Sequence, residues 1–316
     1  MTETRPVLVA FNFSTGADEA LRQGHDYSLA IGAPLVVGHV LPEEFFVRVL
    51  FPQEAGEDVY TQAILEDKAR DATHARVTDV LGSAAQFSVE IESGTPHASI
   101  QRLADRVAAQ RIVMGPGPTA VHVARSATCP ALVARASPAH GAVVAATDFS
   151  DPALPAVRAA AEEAVRRKVP LTVVHCLNIA DADVMAVAAM ASIPGGIGLP
   201  LLPERTLLAL ESAAGERLAS AMAAVGASGR ALVLRGAARA GIVGTAEADM
   251  TSLVVVGTRG RSGLARLVLG SVAESVITGA PCSVLAVPLH DDATPVAEAV
   301  AAHASEYGRA DRLSPA

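Results

Sequence analysis

Apolar residues along the chain fall into two alternating rhythms. Short unbroken runs, such as VLVAF at 7–11 and LVVV at 253–256, are followed by longer stretches in which apolar positions recur at helical spacing. The runs lack the in–out alternation of a sheet with one wet face. They read as strands buried on both sides, as in parallel sheets flanked by helices. The predicted order in the first half is strand 7–11, helix 16–32, strand 35–40, helix 59–82, strand 86–91, helix 97–109, strand 111–114, helix 119–127 and strand 131–134. In the second half it is strand 143–147, helix 152–168, strand 171–176, helix 203–226, strand 230–235, helix 239–248, strand 253–256, helix 267–278 and strand 283–287. Strands alternating with helices predict an α/β fold with right-handed crossovers. Here that means two tandem, doubly wound, five-stranded parallel-sheet domains of Rossmann-like kind, at 1–136 and 142–289, joined by a short linker and followed by a loose tail at 290–316.

The halves are copies of one another, because landmarks recur at constant offsets. VLVAFNFST at 7–15 matches VVAATDFSD at 143–151, which sets Asn12 against Asp148. PLVVGHVLP, containing His39, matches PLTVVHCLN, containing His175, at the same offset of 136. Gly94 in SGTPHASI matches Gly236 in RGAARAGI, and Gly115 matches Gly257, both at 142. The prolines Pro130 and Pro281 extend the series at an offset of 151.

Composition narrows the function. Hydrophobic residues make up 51% of 316, aromatic residues 3%, and the net charge is -8. An acidic chain poor in aromatic rings is a poor nucleic-acid binder, because phosphate backbones require a basic surface. Cys129, Cys176 and Cys282 stand far apart with no CxxC, which fits a reduced, cytoplasmic setting without a signal peptide. The stretch Val184–Leu202 carries no charge, but Pro194, Pro200, Gly195, Gly196 and Gly198 interrupt it between two strands of one sheet. A loop or short buried helix is expected there, not a membrane span.

Ligands of open α/β sheets bind beyond the carboxyl ends of the strands, so the residues that follow each strand carry the chemistry. After 253–256 the sequence reads GTRGRSGLARLVLGSVAESV. Gly257 and Gly260 permit a tight turn with bare amides, and Gly270 and Ser271 open a helix at Val272, whose N-terminus suits an anion. Ser271 is placed to cap that helix or to bond a phosphate oxygen, and Arg259, Arg261 and Arg266 lie in the same loop. Two glycines alone would mean no more than a turn, but four positions at this spacing after a strand favour phosphate binding. No GxxxxGK[ST] motif and no GxGxxG after the first strand compete with that reading.

Gly257-x2-Gly260, nine residues, then Gly270-Ser271, with the early TDFSD and the middle RGAARAGI, resembles the universal stress protein family in tandem, over nearly the whole chain. The resemblance implies a nucleotide-binding fold of the adenine nucleotide alpha hydrolase-like kind, often dimeric. In that family the Gly-x2-Gly-x9-Gly-Ser/Thr pattern marks the members that bind ATP. By that likeness ATP, ADP or AMP, with or without Mg2+, lies beside Ala146, Thr147 and Asp148. Val174 and His175 flank the base, while Gly236, Val256, Gly257, Arg259, Gly260, Arg261, Gly270, Ser271 and Val272 complete the site. From the residues alone, Asp148 equally fits a helix start, and His175 fits a packed strand end better than a catalyst.

The first half has eroded. Between Gly115 and Pro130 there are nine fewer residues than between Gly257 and Pro281, and by the proline landmarks Thr119 and Ala120 replace Gly270 and Ser271. Pro116 and Pro118 each remove an amide donor. This half is expected to bind no ATP and to pack on its neighbour as a pseudo-dimer partner, with a homodimer of whole chains also open. Three roles stay open: a nucleotide-binding stress-response regulator, a slow ATPase or phosphotransferase, and an interaction scaffold with a vestigial site. No paired carboxylates stand near the glycine turn, so catalysis is the weaker expectation. The inserts 41–60 and 178–206, each after the second strand of its half, are candidate lids or dimer contacts.

Overall fold

The computed structural model describes residues 4–42, 62–138, 140–150, 153–178, 204–259 and 269–289. Its first half runs β1 (Val7–Phe11), α1 (Thr15–Ile31), β2 (Leu35–Leu41), α2 (Gln62–Leu81), β3 (Ser88–Ser93), α3 (Pro96–Arg106), β4 (Arg111–Met114), α4 (Pro118–Ser126) and β5 (Ala131–Val133). The second runs β6 (Val143–Ala146), α5 (Leu154–Arg167), β7 (Leu171–Leu177), α6 (Glu204–Ala224), β8 (Arg230–Arg235), α7 (Ala238–Ala248), β9 (Leu253–Gly257), α8 (Ser271–Gly279) and β10 (Ser283–Val287). The predicted elements are all present, with ends moved by a few residues. The helix expected over 97–109 stops at Arg106, because Ala108 turns to a φ of 50°. Most of the insert 41–60, most of the insert 178–206 (with Val184–Leu202) and the tail lie outside the described residues. Among the described residues no helix is long and apolar enough to cross a membrane.

The strands form one sheet of ten, in the order β3-β2-β1-β4-β5-β10-β9-β6-β7-β8. Every neighbouring pair is parallel except β5 and β10, which run antiparallel and join the halves. Each half thus carries the five-stranded parallel sheet that the sequence predicts, and edge pairing joins the two into one. Helices cover both faces. Ala17 and Leu21 of α1, Val77 of α2, Val157 of α5 and Leu218 of α6 pack on one face. Leu103 of α3, Val121 of α4, Ile242 of α7 and Val276 of α8 pack on the other. Each core layer draws residues from both halves, so apolar burial continues through the seam.

Strand register corrects one landmark. Ile112 of β4 pairs with Ala131, and its counterpart Val254 of β9 pairs with Val284, which makes the offset of the last strand 153 and not 151. Cys129 is therefore the counterpart of Cys282, and Pro130 matches Ser283, not Pro281. Leu132 and Leu285 are then equivalent, and they face each other across the β5–β10 pair. A pseudo-two-fold axis passes between them.

A buried ionic cluster ties the halves together beside that axis. The Arg111 guanidinium, from β4, lies 2.8 Å from Glu163 Oε1 of α5, with side chains 8% and 3% exposed. Glu163 Oε2 also accepts from Arg166 at 2.5 Å and Arg167 at 3.0 Å. Tyr27 of α1 lays its ring 3.6 Å from the Arg111 guanidinium carbon. Burial alone would raise the Glu163 carboxyl, but the three guanidinium groups outweigh it and hold the value at about 2.

Because the folded value lies below the ordinary 4.5, the carboxylate stabilises the fold above that pH and ceases to do so as pH falls to about 2. Glu163→Gln should lower the unfolding free energy at pH 7 by about 3–5 kcal/mol, the range for breaking a buried pair. Guanidinium titrations of both proteins should also show the variant losing part of the acid-dependent slope between pH 4.5 and 2.

Candidate functional site

In each half the sheet order reverses direction between the first and fourth strands, at β1/β4 and at β6/β9. At such a point successive crossovers leave on opposite faces and a crevice opens above the carboxyl ends. Over β6/β9 the crevice is a cleft of about 250 Å³. It brings together Ala146, Thr147 and Asp148 after β6, Val174 and His175 of β7, Val256 and Gly257 of β9, Arg259, and Gly270, Ser271 and Val272 at the entry of α8. Its volume is just below the ~300–1,000 Å³ of typical small-molecule sites.

Two of the expected residues, Gly260 and Arg261, lie outside the described residues, as does Arg266. Gly236 does not line the cleft. Its φ of 113° and its amide, which donates to Leu177 O at 2.9 Å, show a turn residue that leads the chain from β8 into α7. Ala153, Cys176, Ala238, Ile242 and Ala273 line the cleft and were missed. Small apolar residues carry no chemical signature in a sequence. The one available signal was that α7 begins beyond a strand's carboxyl end and so faces the mouth.

The helix entry differs in one detail from expectation. Gly270 is the N-cap of α8, and Ser271 is the first helical residue. The Gly270 amide donates to Thr258 O at 2.9 Å and closes the base of the intervening loop. The first helical bond runs from the Glu274 amide to Gly270 O at 2.9 Å. The amides of Ser271, Val272 and Ala273 precede that bond and open at the cleft with the positive end of the helix dipole. The unpaired amides therefore begin at Ser271, one residue earlier in the chain than a helix opening at Val272 would place them. Gly270 itself needs no glycine conformation, because its φ of -61° and ψ of 141° suit any residue. Among the described residues an added Cβ there would meet only Thr258 O, at 3.7 Å. What a bare Cα at 270 provides is open space in the cleft.

Asp148 neither caps α5 nor stands apart from the backbone. Its Oδ1 accepts from the Ser150 amide at 2.9 Å and from the Ser150 hydroxyl, forming an Asx turn. The N-cap of α5 is Ala153. The turn holds Phe149 at a φ of 61°, which a bulky side chain rarely adopts. The Phe149 ring stacks on His175 with centroids 3.9 Å apart, and His175 Nδ1 donates to Thr147 O at 2.8 Å. Asn12, Phe13 and His39 repeat this arrangement. Asn12 Oδ1 accepts from Ser14, Phe13 has a φ of 60°, and His39 Nδ1 donates to Phe11 O at 2.9 Å. The same device is present in both halves, whether or not the long stretch between Gly257 and Gly270 is, and in each the histidine braces the turn.

The corrected register also changes what the first half lost. Gly117 is the N-cap of α4, as Gly270 is of α8, so Gly117 and Pro118 are the counterparts of Gly270 and Ser271. Thr119 and Ala120 do not fill those positions. A single residue, Pro116, separates Gly115 from Gly117, whereas twelve separate Gly257 from Gly270.

Comparison with known proteins agrees with the repeat. The profile of the universal stress protein family matches residues 3–135 and again 141–288. A universal stress protein of Thermus aquaticus is 34% identical over 146 residues, covering 46% of this chain and 96% of its own. The solved universal stress protein of Archaeoglobus fulgidus DSM 4304 overlays 91% of this chain and 97% of its own at a TM-score of 0.61 and 17% identity, a likeness of fold. A universal stress protein of Archaeoglobus fulgidus solved in complex with dAMP, 23% identical, covers 41% of this chain and 97% of its own at a TM-score of 0.32.

Gly270→Val should fold normally, with an unfolding free energy within about 1 kcal/mol of the parent, since among the described residues an added Cβ makes only an ordinary contact with Thr258 O. A larger loss in a denaturation titration would show that the glycine serves the fold and not the cleft.

Proposed function

Because the chain belongs to the universal stress protein family, we propose that it is a regulatory protein that holds one adenine nucleotide, ATP in the first instance, in its second half. The observation that carries this is the convergence of three features on one cleft. They are the leading amides of α8, the Asp148 turn after β6, and the end of β7 at Val174 and His175. Phosphates belong at the α8 mouth, where amides and Arg259 offer donors and positive charge. The base and ribose belong toward β7 and α7, where Val174, Cys176, Ala238 and Ile242 give an apolar wall.

The first half supports a single site. There the β4 end and the α1 start lie so close that a Cβ on Gly115 would stand 2.8 Å from the Gly16 carbonyl carbon and 3.0 Å from the Ala17 nitrogen. Backbone packs closely at that point, and the residues at the α4 entry include Pro116 and Pro118, which have no amide donor. A regulatory role is favoured over hydrolysis because Asp148, the one carboxylate among the described residues that line the second cleft, has an oxygen committed to its turn. Among the described residues no group of three or more His, Cys, Asp or Glu side chains is placed to hold a metal ion.

Purified protein titrated with ATP in a calorimeter should bind about one equivalent per chain, and Gly270→Val should bind at least tenfold more weakly. Two equivalents, or full affinity in the variant, would remove the reading. Cys176 lines the cleft, and burial raises its thiol above the ordinary range. Saturating ATP should therefore slow alkylation of Cys176 further. Cys129 and Cys282, both pushed up to about 11 by burial, should stay inert with or without nucleotide.

A further inference from the structure

A second cavity lies at the seam, away from the nucleotide cleft. It is a groove of about 470 Å³ beside the crossing of α4 and α8. Pro116, Pro118, Val121 and Ile277 give it apolar walls, and His122, Arg125, Arg135, Glu274 and Thr278 give it polar ones. It opens where the one-residue link from Gly115 to Gly117 leaves the first half shorter than the second.

Arg135 is the informative residue. It follows β5 and is partly buried. Its guanidinium donates to two main-chain carbonyls, Cys282 O at 3.4 Å and Ile277 O. Burial lowers its affinity for a proton, and no carboxylate contributes in the opposite sense. A partly dehydrated guanidinium whose partners among the described residues are neutral carbonyls favours an anion beside it. Arg125 faces the same groove and reaches Glu274 across the seam at 3.6 Å, with side chains 37% and 47% exposed. That contact is long and wet, so a bound anion can displace it at little cost. With Arg125 and Arg135 against Glu274, the groove carries a net positive charge between apolar walls.

We infer that this groove is a binding site for a small amphipathic anion, one carboxylate or sulfonate on an apolar body, seated between Arg125 and Arg135 with its apolar part against Val121, Ile277 and the two prolines. The ligand contacts both halves. Through Ile277 it also contacts α8, so its occupancy bears on the same helix that opens the nucleotide cleft.

The probe is 1-anilinonaphthalene-8-sulfonate, titrated into the full chain by fluorescence and calorimetry, with and without ATP. One molecule per chain should bind, and ATP should not displace it. Arg135→Gln should weaken binding about tenfold, the loss of one charge-assisted contact. Arg125→Gln should weaken it several-fold, and Glu274→Gln should strengthen it, because that change frees Arg125 and removes the opposing charge. Strengthening cannot arise from damage to the fold, so it stays decisive even if Arg135→Gln unfolds the seam. Displacement by ATP, or equal affinity in the parent and in the Arg125→Gln and Glu274→Gln variants, would overturn the assignment.

Discussion

The antiparallel hydrogen bonding of β5 to β10 is the constraint from which the rest of the seam follows. Each half, taken as a five-stranded sheet, would end in a buried-type strand with unpaired amides and carbonyls, a costly edge to leave open. Pairing equivalent strands at Leu132 and Leu285 satisfies both edges at once and sets a two-fold relation between the halves. That relation brings α4 beside α8 and carries both core layers across the middle. It also places Arg111 of one half against Glu163 of the other.

On this near-symmetric frame the chemistry is asymmetric. Both halves keep the side-chain-stabilised turn after the first strand, the strained phenylalanine behind it and the histidine that braces it. Both keep a glycine at the entry of the last helix. They differ in the stretch between the fourth strand and that glycine, which is nearly absent from the first half. In the first half Gly16 and Ala17 approach Gly115 closely, and in the second Thr147, Asp148 and the start of α8 frame a cleft.

Much of this was legible in the sequence. Apolar runs and helical periodicity located all the described strands and helices, because both cores are built from aliphatic residues and little else. Most of the expected site residues line one cleft, since glycine, serine and aspartate at strand ends have few other reasons to be there. The exceptions have physical causes. The proline landmark misled by two residues, because a surface turn can move its proline without penalty, whereas strand register is held by hydrogen bonds. The equivalence of Cys129 and Cys282, both buried, was the better marker. Gly236 was drawn in by motif, yet a positive φ alone accounts for it. The union of two sheets into one was not readable, because β5 and β10 are too short and uniformly apolar to declare which edge they present. The Arg111–Glu163 contact joins positions 52 apart in sequence, beyond the reach of any local pattern.

The same ionic cluster governs which surfaces of this protein can meet their own kind. By the repeat, Tyr27 occupies in the first half the place of Glu163, and Leu253 occupies in the second the place of Arg111. If two chains exchanged partners so that first half met first half, two guanidinium groups would be sealed in with no carboxylate between them. If second half met second half, two copies of Glu163 would converge where no Arg111 stands. The first swap strands buried charge, a penalty of several kcal/mol; in the second each Glu163 keeps Arg166 and Arg167 but loses the Arg111 contact. Divergence at two positions thus gives the edge strands a preference for the unlike half, and discourages open-ended strings of chains.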